Sequence, residues 1–176
     1  MNITLWKIKN FPHIARGYMR ILKDKLSGVS HPQARLYAEV YKNGDLAADL
    51  GCISINVVTD AFASYLVQCL IGAQSAGVFK YHGCGTGTGA ESAGNTALSA
   101  EVGSRVIGTQ EVGANSKQYK SVAQIAFSSN YAITEHGVFS ASSGGTLFDR
   151  SVFAAINVDS STEIKFTFTE DVPSGN

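Results

Sequence analysis

Hydrophobic positions follow two different periods along the chain. Between residues 13 and 27 the apolar side chains Ile14, Tyr18, Ile21, Leu22 and Leu26 recur every three or four positions beside Arg16, Arg20, Lys23 and Lys25. That spacing predicts a basic amphipathic helix, with Gly28 as its stop. Gly17 weakens such a helix by about 1 kcal/mol relative to alanine, so the segment is expected to form on docking. Residues 35–42 alternate with a period of two, Asn43-Gly44 supplies a type I′ turn, and a return strand follows from Leu46 to Ile55. A second helix is predicted after Thr59 or Asp60 as cap, with Phe62, Tyr65, Leu66, Cys69 and Leu70 as a core-packing stripe and Gly72 as its end.

From Gly77 onward the period of two dominates. A short strand is expected over 78–81, a glycine-rich loop over 83–89, and a helical or turn segment over 96–102. Strands are then expected over 104–112, 118–128, 131–140 and 146–158. The last strand places Ile164, Phe166 and Phe168 on one face and Lys165, Thr167 and Thr169 on the other, before a terminal coil from Val172. The fold class that results is mainly β: an antiparallel β-sandwich or open barrel with one packed helix and an N-terminal basic helical arm. The arm is assigned to residues 1–42 and the β-rich body to 43–176, with strand pairing beginning near residue 35.

Composition sharpens this picture in two respects. Hydrophobic residues make up 44% of the 176 positions, enough to fill a core, whereas charged residues make up only 16% and glycines number 18. Low charge with many glycines suits a turn-rich β protein whose surface is partly covered by neighbours. Net charge is zero but segregated: residues 1–44 carry eight Lys/Arg against Asp24 and Glu39, a net +6, and the remainder carries six against twelve, a net −6. A basic arm of this kind seeks an acidic partner. No apolar run reaches the length of a membrane span, and residues 1–10 lack the continuous apolar core of a secretory signal. A membrane-surface role for the basic helix is set aside because its apolar face is narrow and short. Trp6, Phe11 and Tyr18 among the basic residues partly meet the pattern of a nucleic-acid surface, but the acidic body does not, so direct nucleic-acid binding is not expected.

Candidate chemistry is sparse. The run Gly83-Cys84-Gly85-Thr86-Gly87-Thr88-Gly89 lacks the lysine of a phosphate-binding loop, and no βαβ alternation surrounds it. Its glycines are expected to supply backbone conformations with positive φ. Ser140, His136 and Asp149 are the residue types of a hydrolase, but no nucleophile elbow is present, and Glu135 reads as a hydrogen-bonded, partly buried carboxylate. His82, Cys84 and His136 form only a weak ligand pattern, and Cys52, Cys69 and Cys84 lack zinc-type spacing, so neither a metal nor a cofactor is expected. The cysteines read mainly as buried free thiols. Asp149-Arg150 is expected to place a charge pair across a sheet face or into an interface.

Several blocks together resemble a group of small tailed-phage virion proteins. They are Lys80-Tyr-His-Gly-Cys-Gly-Thr-Gly-Thr-Gly89, Glu91-Ser-Ala-Gly-Asn-Thr-Ala-Leu-Ser-Ala-Glu-Val102, Arg105-Val-Ile-Gly-Thr-Gln110, Ala132-Ile-Thr-Glu-His-Gly-Val-Phe-Ser-Ala141 and Gly144-Gly-Thr-Leu-Phe-Asp-Arg-Ser-Val-Phe153. Asn43-Gly-Asp45 and Val58-Thr-Asp-Ala61 extend the resemblance to residues 43–170. It implies a non-enzymatic structural component of the virion, assembled in the host cytoplasm, with head accessory and tail components both represented in the group. The unmatched basic arm favours a capsid decoration or cement protein that grips the major capsid protein or other virion subunits and self-associates. Trp6, Phe11, Arg16, Arg20, Lys23 and Lys25, with Asp149 and Arg150, are the expected interface residues. Deleting residues 1–30 is then expected to abolish particle association and leave the body folded. A tail, neck or fibre-attachment protein is the alternative, and a carbohydrate-binding β module using Tyr81, Tyr119 and Tyr131 is a third reading.

Overall fold

The computed structural model describes residues 2–27 and 33–172. In chain order the elements are α1 (Ile3–Leu26), β1 (Gln33–Lys42), β2 (Asp45–Ile55), β3 (Val57–Val58), α2 (Asp60–Leu70), β4 (Tyr81–Gly85), β5 (Glu101–Ile107), β6 (Thr109–Val112), β7 (Gln118–Ala126), β8 (Tyr131–Phe139), β9 (Leu147–Val158) and β10 (Thr162–Asp171). The strands form two antiparallel five-stranded sheets, β2-β1-β10-β7-β6 and β3-β9-β8-β4-β5, so the fold is a sandwich and not a closed barrel. Leu36, Ala38 and Val40 of β1 and Ile164, Phe166 and Phe168 of β10 meet Ile133 and Val138 of β8 and Phe153 and Ile156 of β9 in one core. Asn43 and Gly44 take φ of 52° and 86°, the two positive values a type I′ turn requires, and they fix the β1–β2 hairpin. Since β1 lies between β2 and β10, residues 33–42 belong to the sandwich, and the arm proper is α1.

The strand expected over 104–112 divides at Gly108. β5 pairs with β4 in one sheet and β6 with β7 in the other, so the chain crosses between layers there. A Cβ on Gly108 would lie 2.7 Å from His82 Nε2 and 2.8 Å from Ser121 Oγ, which is why only glycine fits the crossing. The strand expected at 78–81 instead begins at Tyr81 and takes in the first half of the glycine-rich run. Of the helical or turn segment expected over 96–102, residues 96–100 form bends without a helix and residues 101–102 already belong to β5.

α1 starts ten residues earlier than its apolar periodicity suggests and runs through Pro12. A helix-interior proline costs about 3 kcal/mol, so the docked contacts on both sides of Pro12 have to offset it. Asn2 caps the helix, its side chain accepting from the Leu5 amide at 3.0 Å. Trp6 enters the core at 5% exposure and donates its indole N–H to the Ala154 and Ala155 carbonyls of β9 at 3.1 and 3.0 Å. Asn10 donates to the Ile53 carbonyl of β2 at 2.8 Å and accepts from the Ala154 amide of β9 at 2.9 Å, bridging the edges of the two sheets. Gly17 lets the helix approach β2 closely, since a Cβ there would sit 2.3 Å from Ile55 Cβ. Helix α1 therefore seals one open side of the sandwich, satisfying edge groups that a free edge would leave unpaired. Asn10→Ala should cost about 2 kcal/mol in denaturant unfolding, because it orphans a buried C=O and a half-buried N–H. A loss below about 0.5 kcal/mol would show that water takes over the bridge.

α2 begins at the expected cap, with Thr59 accepting from the Phe62 amide at 3.1 Å, and Gly72 beyond its end has φ 75°. Only the first half of its apolar stripe reaches the core: Phe62 and Tyr65 pack on Phe79, and Phe62 also stacks on Phe148. Leu66 and Leu70 are exposed. Gly28, the expected stop of α1, and residues 173–176 of the expected terminal coil lie outside the described residues.

Candidate functional site: an outward helix face and a buried clamp

Successive residues of a strand point to opposite faces, which decides where the candidate residues go. On β8, His136 and Val138 face the sandwich interior, while Glu135 and Gly137 face outward beneath the segment 86–100. On β9, Asp149 points inward and Arg150 outward. Asp149 and Arg150 are consequently not a pair. Arg150 instead meets Glu135 of the neighbouring strand, with Nε and Nη2 at 2.8 and 2.7 Å from Oε2.

The Glu135 carboxylate is fully buried and accepts from the Gly87, Ser99 and Ala100 amides at 3.0, 3.0 and 2.7 Å. Arg150 is also buried and reaches the Ala90 carbonyl at 3.3 Å and Asn95 Oδ1 at 3.4 Å. Burial raises the Glu135 pKa, but hydrogen bonds from the two amides of Ser99 and Ala100 and from Arg150 outweigh it, so the group stays below the usual carboxylate range. The pair clamps the segment 86–100 onto the sheet. The glycine-rich run serves that clamp: a Cβ on Gly85 would meet the Ala100 carbonyl oxygen at 2.3 Å, and one on Gly87 would meet Glu135 Oε1 at 2.5 Å. None of Gly83, Gly85, Gly87 and Gly89 has a positive φ in the left-handed region, so close approach at Gly83, Gly85 and Gly87, and not the expected turn conformation, is what the run provides. From the flank, Arg16 and Arg20 of α1 reach the buried Glu91 carboxylate at 3.5 and 3.3 Å.

Inside the sandwich, His82 Nδ1 and His136 Nε2 lie 3.0 Å apart, and His82 Nε2 is 2.8 Å from Ser121 Oγ, linking the sheets. Burial pushes His82 down to about 3; burial and then the His82 charge push His136 well below its ordinary value. Asp149 accepts from the Val138 amide, Ser151 and Asn56, yet burial raises it to about 7. Glu170, 3% exposed, has no hydrogen-bond partner for either oxygen among the described residues; burial, then Asp149 and Asp171, raise it to about 9. These groups neither assemble a hydrolytic triad nor group as metal ligands among the described residues. His136 pairs with His82, Ser140 Oγ accepts from the Thr146 amide, and Asp149 bonds Asn56. Cys84 is a buried free thiol, raised to about 12 mainly by burial, and Cys52 and Cys69 are half-buried and free. Tyr81, Tyr119 and Tyr131 lean on different neighbours (Leu98 and its cluster, Phe148 and Phe168, Phe127) and form no shared platform.

Of the eight expected interface residues, Trp6, Asp149 and Arg150 are buried within this chain and offer nothing to a partner. Arg16 and Arg20 pair with Glu91, Phe11 and Lys23 are exposed, and the Lys25 side chain lies outside the described residues. The stronger surface is the apolar face of α1. Leu5, Ile8, Phe11, Tyr18, Met19, Leu22 and Leu26 are each 52–89% exposed. At about 100° per residue they fill an arc of roughly 140° diametrically opposite Trp6, Asn10, Gly17 and Arg20. α1 thus docks through Trp6 and Ile3 together with Asn10, Gly17 and Arg20, and presents most of its large apolar side chains outward. No helix among the described residues is long and apolar enough to cross a membrane. No family model matches the chain, and neither a curated protein nor a solved structure matches it.

Proposed function

We propose that this chain is a non-enzymatic structural subunit of a tailed-phage virion, most simply a capsid decoration or cement protein held on the shell by α1. The observation that carries this reading is the outward apolar face of α1: seven large hydrophobic side chains stand in solvent on an element rigidly tied to the sandwich. Exposed apolar surface of that extent on a docked helix is the mark of an interaction element. The resemblance to small virion proteins supports the virion as its setting. All the blocks that carry it except the two short ones near residues 43 and 58 lie in or beside the clamp around Glu135 and Arg150 and the inter-sheet histidines, so they encode the rigidity of the body, and α1 provides the attachment.

Truncation is a poor test, because removing α1 also takes Trp6 out of the core and uncovers two sheet edges. The informative variants are Phe11→Glu and Leu22→Glu, whose side chains touch solvent in the isolated chain. Quantitative mass spectrometry of purified particles should find the wild-type chain as a stoichiometric component. Each variant should remain folded in the lysate but fall at least about tenfold on particles, a shift worth about 1.4 kcal/mol of attachment. Absence of the wild-type chain from particles would end the proposal.

A further inference from the structure

We infer that the outward face of α1 receives an amphipathic α-helix of a different subunit, one whose apolar seam is flanked by carboxylates. The inference rests on the reading of α1 as the attachment element and specifies what it attaches to. Three features of α1 converge on that partner.

The first is spacing. Ile8, Phe11, Ala15, Tyr18 and Leu22 follow one another at intervals of three, four, three and four. This is the seam of a helix that packs lengthwise against another helix. Leu5, Met19 and Leu26 widen it on one side.

The second is area. The seven exposed side chains present on the order of 900 Å², above the ~300–600 Å² of the largest patch on a typical monomer. It is close to the ~800 Å² each partner contributes to a standard stable interface. A single covering helix along 24 residues is the right size for it.

The third is charge. Lys9 and Lys23 line one border of the apolar arc and Lys7 the other, all exposed, while Arg16 on the first border is engaged by Glu91. The helix has a single carboxylate, Asp24, and its position falls on the docked side. Two copies of α1 laid seam to seam would therefore bring lysines together with no carboxylate on either border to answer them. This chain's other exposed patch at a helix, Leu66, Val67 and Leu70 of α2 with Ile71 just beyond it, has no carboxylate within it to answer them. A helix with Asp or Glu beside its seam answers both borders at once.

The test uses the full chain and a synthetic four-heptad helix with Leu at the seam positions and Glu beside them; carboxylate repulsion discourages that peptide from pairing with itself. The control peptide carries Lys in place of Glu. Anisotropy titrations should show the Glu peptide binding at least about tenfold tighter than the Lys peptide, weakening as salt rises from about 50 to 300 mM. Phe11→Glu and Leu22→Glu should abolish that binding without shifting the thermal unfolding midpoint. Equal binding of the two peptides, or binding of neither, overturns the inference. So does a dimer of the chain alone that Leu22→Glu dissolves, which would make a second copy the occupant. Tighter binding to phosphatidylserine vesicles than to the Glu peptide would make a lipid surface the occupant and equally overturns it. Peptide selectivity in a chain that never appears on particles would defeat the virion reading alone, whereas incorporation unaffected by Leu22→Glu would defeat the docking face.

Discussion

Replacing Glu135 by alanine is expected to lower the unfolding free energy by about 3–5 kcal/mol, the range for breaking one side of a buried ion pair. Two penalties combine. The Gly87, Ser99 and Ala100 amides lose their acceptor, the first of them in a buried position, and Arg150, 1% exposed, is left with a buried and uncompensated charge. Arg150→Met should be milder, because the carboxylate keeps its three backbone donors. The double variant Glu135→Leu/Arg150→Met should cost less than the sum of the singles, the signature of a coupled pair. Denaturant unfolding gives the energies, and amide exchange adds the location: protection at Ser99 and Ala100 should collapse before protection in β10. A Glu135→Ala loss below about 1 kcal/mol would mean that the segment 86–100 is held by something other than this clamp.

Local patterns carried much of the sandwich into the sequence. Alternation marked β1, β7 and β10, because one face of each is buried against the opposite sheet, whereas β8 and most of β9 are buried on both faces. Asn43-Gly44 and Thr59 were legible because a type I′ turn and a helix cap each demand a residue type at a fixed place. The N-terminal helix was only partly legible, for a physical reason. Periodicity reveals that an apolar face exists, not what covers it, and the face that docks here is built from Asn10, Gly17 and Arg20 with a single large apolar anchor, Trp6. The helix also runs through Pro12, with Asn10 before it tied to both sheets and Gly17 after it packed on Ile55. The glycine-rich run is unreadable by composition alone, since glycine for positive φ and glycine for close approach look identical until the neighbour, here the Glu135 carboxylate, is in place. The alternation of strand faces, by contrast, was enough to separate Asp149 from Arg150 and Glu135 from His136. That signal was present in the sequence, and it excludes an ion pair between adjacent strand residues. The partner of Arg150, fifteen positions upstream, depends on strand pairing that periodicity does not give.

Stability is expected to fall as pH rises from about 6.5 to 9, opposite to the behaviour of a protein held by ionised surface pairs. Asp149, raised to about 7 by burial, and Glu170, raised to about 9 by burial and by Asp149 and Asp171, hold their protons in the folded state well after an unfolded chain has released them. A carboxylic acid with a raised folded pKa stabilises fully below its ordinary value near 4 and loses that contribution as pH climbs through the folded value. The slope is about 1.4 kcal/mol per pH unit for each such group. The buried histidines act with the other sign. Their depressed folded values, about 3 for His82 and well below ordinary for His136, stabilise above pH about 6.5 and lose that contribution on acidification. Between about 4.5 and 6.5 the two pairs oppose one another and stability should be nearly flat. Above that window the histidines are neutral in both states and the acids alone set the trend, for a loss of about 3 kcal/mol by pH 9. Urea midpoints at half-unit intervals check the shape. Glu170→Gln, which keeps the volume and removes the proton, should flatten the decline between pH 7 and 9 while leaving the acid limb in place. A wild-type chain as stable at pH 8.5 as at pH 6.5, or a Gln variant with an unchanged slope, would show that Glu170 is solvated in the folded state and that the sandwich interior is not the proton-holding core its geometry describes.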